Sequence, residues 1–205
     1  MPDKIERYLL KQTPQRPPVL REMERYAAEH DFPIVGPLVG RFLYQMALSV
    51  NARKVLELGS GYGYSAYWFS LAMRSKGLVV MTDRSKENKK RAMGYLRRAG
   101  LESRFDFRVG DALRIARRLS DKFDLVFCDI DKSSYPEVID LAARLLGKGG
   151  LFITDNLLWS GRVCERQPDT TTQRILEFTA ELYRDSRFFT TIIPLRDGVA
   201  LAVRR

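Results

Sequence analysis

From Lys54 onward the chain alternates short runs rich in Val, Ile, Leu and Phe with amphipathic stretches of about ten to fifteen residues. Short apolar runs of this kind read as strands buried on both faces, and the stretches between them as crossover helices. The fold class is therefore α/β, a mostly parallel sheet with helices on both faces. Strands are predicted at residues 55–58, 78–82, 105–109, 125–128 and 151–154, with helices near 65–74, 86–99, 113–119 and 135–146. Gly100 and Gly147 stand where helix C-caps belong. After a further helix over 173–184, strands at 188–195 and 199–203 are joined by Arg196-Asp197-Gly198, and Asp-Gly is a strong hairpin signal. The sheet is expected to close with this antiparallel pair.

Upstream, Pro17-Pro18 opens a helical pattern carrying Val19, Leu20, Met23, Tyr26 and Ala27, which Phe32-Pro33 ends. A second helix follows Gly36-Pro37, with Leu38, Val39, Phe42, Leu43 and Met46 on one face. The 205 residues suit one domain over 1–205, with a helical cap over 1–48 and a core over 49–205. No run approaches the length of a spanning helix, and residues 1–18 lack the apolar stretch of a secretory signal, so a cytoplasmic location and no membrane contact are expected. Cys128 and Cys164 are too few for a disulfide framework.

Residues Val55 to Ser65 form a strand, a glycine turn at Gly59, Gly61 and Gly63, and the start of a helix. Glycines let the backbone approach a ligand, and a helix N-terminus offers unpaired N–H groups. The dinucleotide pattern G-x-G-x-x-G fails because Tyr64 holds its last position, whereas G-x-G-x-G suits S-adenosylmethionine. Asp83, at the end of the second strand, is placed to accept both hydroxyls of a ribose.

Asp129 follows one strand, and Asp155-Asn156 the next. Two carboxylates and an amide carbonyl make a hard all-oxygen set suited to Mg²⁺, Mn²⁺ or Ca²⁺. Open α/β sheets bind ligands at this carboxyl edge. Taken singly, each such residue is more often a turn former or N-cap, and Asp131 fits that description. Lys132 beside the set reads either as a general base for an acceptor hydroxyl or as a surface ion pair with Asp129 or Asp131. A methyl on a sulfonium moves by in-line displacement, so its acceptor oxygen must be ionised and close, and a divalent ion favours the phenolate. His30, the only histidine, lies in the N-terminal layer, so a Ser-His-Asp arrangement or a histidine metal site is not expected.

The formal charge is +10, and between Arg84 and Arg118 twelve Lys or Arg face only four Asp or Glu. Such a segment reads as solvated helix faces or as a surface for an anionic partner such as RNA.

Four motifs in order resemble the cation-dependent O-methyltransferases of the catechol and caffeoyl-CoA type, particularly small bacterial members. They are the run from Glu57 to Ser65, Gly110-Asp111-Ala112, Asp129-Ile130-Asp131-Lys132, and the run from Asp155 to Val163. The resemblance covers residues 34–205. It implies a Rossmann-like seven-stranded sheet, S-adenosyl-L-methionine as donor, and commonly a homodimer. By the same resemblance Asp129, Asp155 and Asn156 would hold the metal, and Lys132 would be the catalytic base. The donor would be bound by Val35, Glu57, Gly59, Gly61, Ser65, Asp83, Asp111, Ala112 and Asp129. Of these, Asp83 would hold the ribose, Ser65 and the Val35 backbone the carboxylate, and Asp111-Ala112 the border of the adenine. Ile130 stands where relatives usually carry Ala, and Arg41 where they often carry Gln.

The expected activity is therefore methylation of one hydroxyl of a catechol-like small molecule. Two alternatives are a tRNA 5-hydroxyuridine O-methyltransferase, drawing on the basic segment, and a non-catalytic protein that binds S-adenosylmethionine.

Overall fold

The computed structural model describes residues 3–74 and 76–205. Met1, Pro2 and Ser75, which fall within the expected cap and core, lie outside the described residues. Three helices come first, α1 (Asp3–Gln12), α2 (Pro18–Glu29) and α3 (Gly36–Ser49). Helix α2 begins at Pro18, whose fixed φ and missing N–H suit the first helical position. The sequence pattern predicted no element over α1, because only Leu9 and Leu10 are half-buried apolar residues among charged neighbours.

The remainder runs β1 (Lys54–Leu58), α4 (Tyr64–Ala72), β2 (Leu78–Asp83), α5 (Lys86–Arg98), β3 (Phe105–Val109), α6 (Ala112–Arg117), β4 (Phe123–Cys128), α7 (Val138–Leu145), β5 (Leu146–Thr154), α8 (Thr170–Arg184), β6 (Phe188–Ile193) and β7 (Val199–Arg204). The seven strands form one sheet in the order β3-β2-β1-β4-β5-β7-β6. Only β7 runs against its neighbours, so the last strand is inserted between β5 and β6. The order reverses direction between β1 and β4, the topological switch point where α/β sheets bind ligands.

Side chains alternate across the sheet as strand geometry requires. Val55, Met81, Phe127 and Ile153 face one core with α2, α3 and α4, while Leu56, Val80, Val126 and Phe152 face the other with α7 and α8. Burial on both faces is why these strands read as continuous apolar runs.

Caps follow the sequence at several ends. The Ser85 hydroxyl accepts from Asn88 N at 3.1 Å at the start of α5. Gly100, at φ +68, ends the same helix in the left-handed conformation. Gly147 does not serve as the expected cap: Leu146 is already extended (φ −87, ψ 142), and the chain passes directly from α7 into β5. The left-handed residue is Gly149 (φ +76), at a register shift opposite β4. The helix expected over 135–146 is divided into a 3₁₀ segment, Lys132–Glu137, and α7. The Asp-Gly signal marks the β6–β7 turn, but the turn is longer than the two-residue type, with Gly198 N donating to Leu195 O.

The basic segment spans α5, β3 and α6, on the β2–β3 half of the sheet. Much of its charge is compensated by carboxylates within and beside it: Arg84 pairs with Asp111, Arg91 with Glu87, Arg97 with Glu102, Arg98 with Glu22, Arg108 with Asp106 and Arg117 with Glu137. No helix among the described residues is long and apolar enough to cross a membrane. Cys128 is buried and Cys164 exposed, both as free thiols.

Candidate active site

The strand register brings together residues that are distant in sequence. Leu58 is level with Cys128, and Cys128 with Thr154, so Gly59, Asp129 and Asp155 each emerge one residue beyond matched strand ends. The edge is stitched by Asp129 N donating to Leu58 O (2.9 Å) and Asp155 N to Cys128 O (3.3 Å). Gly59 is obligatory here: at φ +84, an added Cβ would stand 2.3 Å from Asp129 O.

Around the glycine turn, the Asp83 carboxylate accepts from Gly61 N (3.1 Å), Ser85 N (2.8 Å) and the Asn88 side chain (3.1 Å). Asp83, Gly59, Asp111, Ala112 and Ile130 wall a cavity of about 300 Å³. Asp111 caps α6 by accepting from Arg114 N (2.9 Å) and also pairs with Arg84 (2.6 Å). The Arg114 backbone bond first, then Arg84, holds its carboxyl below the usual carboxylate range. Val35 and Ser65 meet across a smaller cleft of about 40 Å³ beside Gly59 and Gly61.

Glu57 is fully buried beneath this turn. Ser65 Oγ donates to its Oε1, while Oε2 has no partner. Desolvation pushes its carboxyl up to about 7, against the opposing bonds from Ser60 and Ser65, with Asp129 and Asp83 adding to the rise. An orphaned buried acceptor near two further carboxylates suits a ligand that brings positive charge and a hydrogen-bond donor.

The second half of the site opens into a larger cavity, about 1150 Å³, which runs from Gly59, Gly61 and Asp83 to Asp129, Lys132, Asp155 and Asn156. Asp155 is 2% exposed, and burial first, then the negative charge of Asp129, pushes its carboxyl up to about 7. Burial also raises Asp129, opposed by Lys132, although 33% of its side chain is still exposed. Asn156 adopts φ +65, a conformation that asparagine tolerates, and its N–H donates to Asp155 Oδ1 (2.9 Å). Lys132 Nζ donates to Asn156 Oδ1 (3.2 Å) and stands 3.7 Å from Asp129 Oδ1. Lys132 is thus paired with Asp129, but buried (6% exposed), which overturns its reading as a surface ion pair.

Among the described residues, no three Asp, Glu, His or Cys side chains gather as a metal cluster. The set is two carboxylates and an amide, so a cation here would need the Asn156 oxygen. Two carboxylates both raised by burial, beside a neutral amide oxygen, suit a hard divalent ion.

Three features were not anticipated. Tyr135, fully buried, accepts from Lys132 Nζ (2.6 Å) and donates to Asp155 O (3.1 Å), and in a 3₁₀ segment positions i and i+3 eclipse. Trp159, Ser160 and Gly161 adopt three consecutive positive φ values (47, 54 and 83) on the cavity rim. Their loop is clamped by the β6–β7 turn: Leu157 N donates to Gly198 O (3.0 Å) and Leu158 N to Asp197 O (2.8 Å). Arg196 reaches the cavity from that same turn. Nothing in its sequence position signals this, since the Asp-Gly pair marks only the reversal.

His30 is exposed in the N-terminal helical layer, its ring stacked on Tyr26 with centroids 4.0 Å apart.

The strand order, the glycine turn at its switch point and the carboxylate at the end of β2 define a Rossmann-like, S-adenosylmethionine-dependent methyltransferase. The chain belongs to the O-methyltransferase family, whose profile matches residues 11–205. It is 29% identical to a caffeoyl-CoA O-methyltransferase of Eucalyptus gunnii over 219 residues, covering 98% of this chain and 88% of the relative. A methyltransferase from Geobacter sulfurreducens superposes with a TM-score of 0.84 at 33% identity, covering 100% of this chain and 99% of that one. An O-methyltransferase from Bacillus cereus, solved in complex with SAH, gives a TM-score of 0.88 at 27% identity over 98% and 97% of the two chains. The protein is an S-adenosylmethionine-dependent O-methyltransferase of the caffeoyl-CoA type.

Proposed function

We propose that the enzyme transfers a methyl group to one hydroxyl of a vicinal dihydroxy-aromatic small molecule, with a divalent cation such as Mg²⁺ held by Asp129, Asp155 and Asn156. The observation that carries this reading is the oxygen set at the sheet edge beside Lys132 Nζ, with Asp155 buried and Asp129 and Asn156 half-buried. A cation bound there would supply Lewis-acid stabilisation of a phenolate, and two adjacent hydroxyls would chelate it better than one.

The donor would lie across the glycine turn, with its ribose on Asp83 and its adenine beside Asp111 and Ala112. Its carboxylate would meet Ser65 and the Val35 backbone. Asp83 and Asp129 place negative charge near a cationic donor, which favours its binding. Lys132 Nζ, steered by the Tyr135 hydroxyl, would take the acceptor proton. The acceptor oxygen then forms its bond to the methyl carbon as the carbon–sulfur bond breaks, and the sulfonium leaves as a neutral thioether.

Turnover of catechol-type acceptors with S-adenosylmethionine, measured with and without a chelator, tests the reading. Activity is expected to vanish with chelator and return with Mg²⁺ or Mn²⁺, and Asp155→Ala is expected to abolish it. Full activity in chelator, or in Asp155→Ala, would refute the assignment.

A further inference from the structure

We propose that Arg196 recognises a carboxylate carried by the methyl acceptor, so that hydroxylated aromatic acids are preferred to neutral catechols. The inference rests on the larger cavity being the acceptor site. Arg196 stands in the wall of that cavity, which Asp129, Asp155 and Asn156 also reach, and Ile130, Leu158 and Trp159 give it apolar surface for a ring.

Two observations separate Arg196 from an incidental surface arginine. Its backbone is left-handed, at φ +53, in a turn where glycine would be unstrained. Such strain persists only where the surroundings hold it. The guanidinium is also anchored: Nη1 donates to Ile34 O at 2.6 Å, and Nε faces Glu6 Oε1 at 3.9 Å. It packs against Gly36, its Cζ lying 3.4 Å from where a Cβ would sit. An arginine fixed in this way loses less side-chain freedom on binding than a mobile one. The planar fork matches a carboxylate in bidentate geometry.

The sign of the charge sharpens the argument. A cation on the wall of a cavity whose carboxylates would hold a divalent ion opposes that ion by Coulomb repulsion. For metal retention alone, Arg196 is adverse. An acceptor that binds the ion through its hydroxyls and meets Arg196 through a carboxylate turns the same charge into attraction. The anchor to Ile34 also ties recognition to the N-terminal helical layer, which supplies the facing wall through Phe32, Pro33 and Ile34.

The test is calorimetric binding to the full chain loaded with S-adenosylhomocysteine and Mg²⁺. Vicinal dihydroxybenzoate and dihydroxycinnamate are each compared with their methyl esters, which keep the size and remove the charge. The wild-type protein is expected to bind at least one acid about tenfold more tightly than its ester, the range of a charge-assisted bond. Arg196→Gln is expected to bring that ratio close to one, and Arg196→Lys to leave part of it. No preference for either acid in the wild type, or a ratio unmoved by Arg196→Gln, overturns the proposal. Should Arg196→Gln fail to fold in a thermal melt, the wild-type ratio and Arg196→Lys decide, since a ratio that Lys fully preserves would remove any role for the fork. Esters that bind and are methylated as well as the acids sink this inference alone. Absence of binding by all four compounds removes the acceptor reading and this inference together.

Discussion

Lys132 Nζ is held 2.6 Å from the phenol oxygen of Tyr135, and that phenol donates in turn to the Asp155 carbonyl at 3.1 Å. The proposed base and a proposed metal ligand are therefore braced by one buried ring, which packs against Phe178 at 4.4 Å. A change at Tyr135 should reach both without touching the acceptor.

Tyr135→Phe keeps the ring and deletes both bonds. It leaves the Asp155 carbonyl without this donor, at an expected cost of about 1–2 kcal/mol in stability. Loss of Lys132 positioning should lower kcat by about tenfold with little change in KM. Steady-state kinetics and a thermal melt check this; an unchanged kcat would show that the phenol is only structural.

Asp155 titrates near 7 in the absence of metal, because burial and the neighbouring Asp129 resist its ionisation. A cation must displace that proton, so Mn²⁺ affinity should rise by up to about tenfold per pH unit below 7 and level off above it. Calorimetric titration between mildly acidic and mildly alkaline pH measures the slope. Asp155→Asn should bind weakly and lose most of the dependence, whereas a flat wild-type profile would contradict the assignment.

Glu57 carries the clearest link between pH and stability. Its folded value, about 7, lies above the ordinary value of 4.5, so the fold favours the neutral acid. Stability is greatest below the ordinary value, falls as pH rises towards 7, and by then has dropped by about 3 kcal/mol through this group. Asp155 adds a slope of the same sign. Glu57→Gln should therefore flatten part of the fall between pH 5 and pH 8 in urea denaturation, while weakening donor binding. An identical pH profile in the variant would show that Glu57 is already ionised.

The glycines separate into necessary and dispensable positions. Gly59→Ala places a methyl group 2.3 Å from Asp129 O at a positive φ, and should cost more than about 2 kcal/mol along with donor affinity. Gly94, inside α5 with nothing within 4 Å of an added Cβ, should instead gain about 0.5–1 kcal/mol on substitution by Ala. Paired thermal melts read both signs at once.

Much of this architecture was legible because it rests on local or periodic signals. Strands buried on both faces announce themselves as apolar runs, as Val79 to Met81 and Leu125 to Cys128 do. Asp129, Asp155 and Asn156 could be named because residues following neighbouring strands share an edge. The remainder depends on contacts the linear pattern does not encode. Gly147 looked like a helix cap, yet the chain enters β5 at once and the left-handed turn falls on Gly149. Tyr135 stood only at the start of an expected helix, and the 3₁₀ winding from Lys132 brings its hydroxyl under Nζ. Arg196 reaches the cavity through a turn whose sequence signal concerns chain reversal alone.

The insertion of β7 between β5 and β6 bears on the order in which the enzyme becomes competent during synthesis. The segments around Gly59, Asp83 and Asp111 leave the ribosome first, whereas the Leu157–Leu158 backbone waits about forty residues for Asp197 and Gly198 to close on it. A nascent chain can thus shape its donor half well before its acceptor half. The path of the chain makes the acceptor half the last part of the site to close.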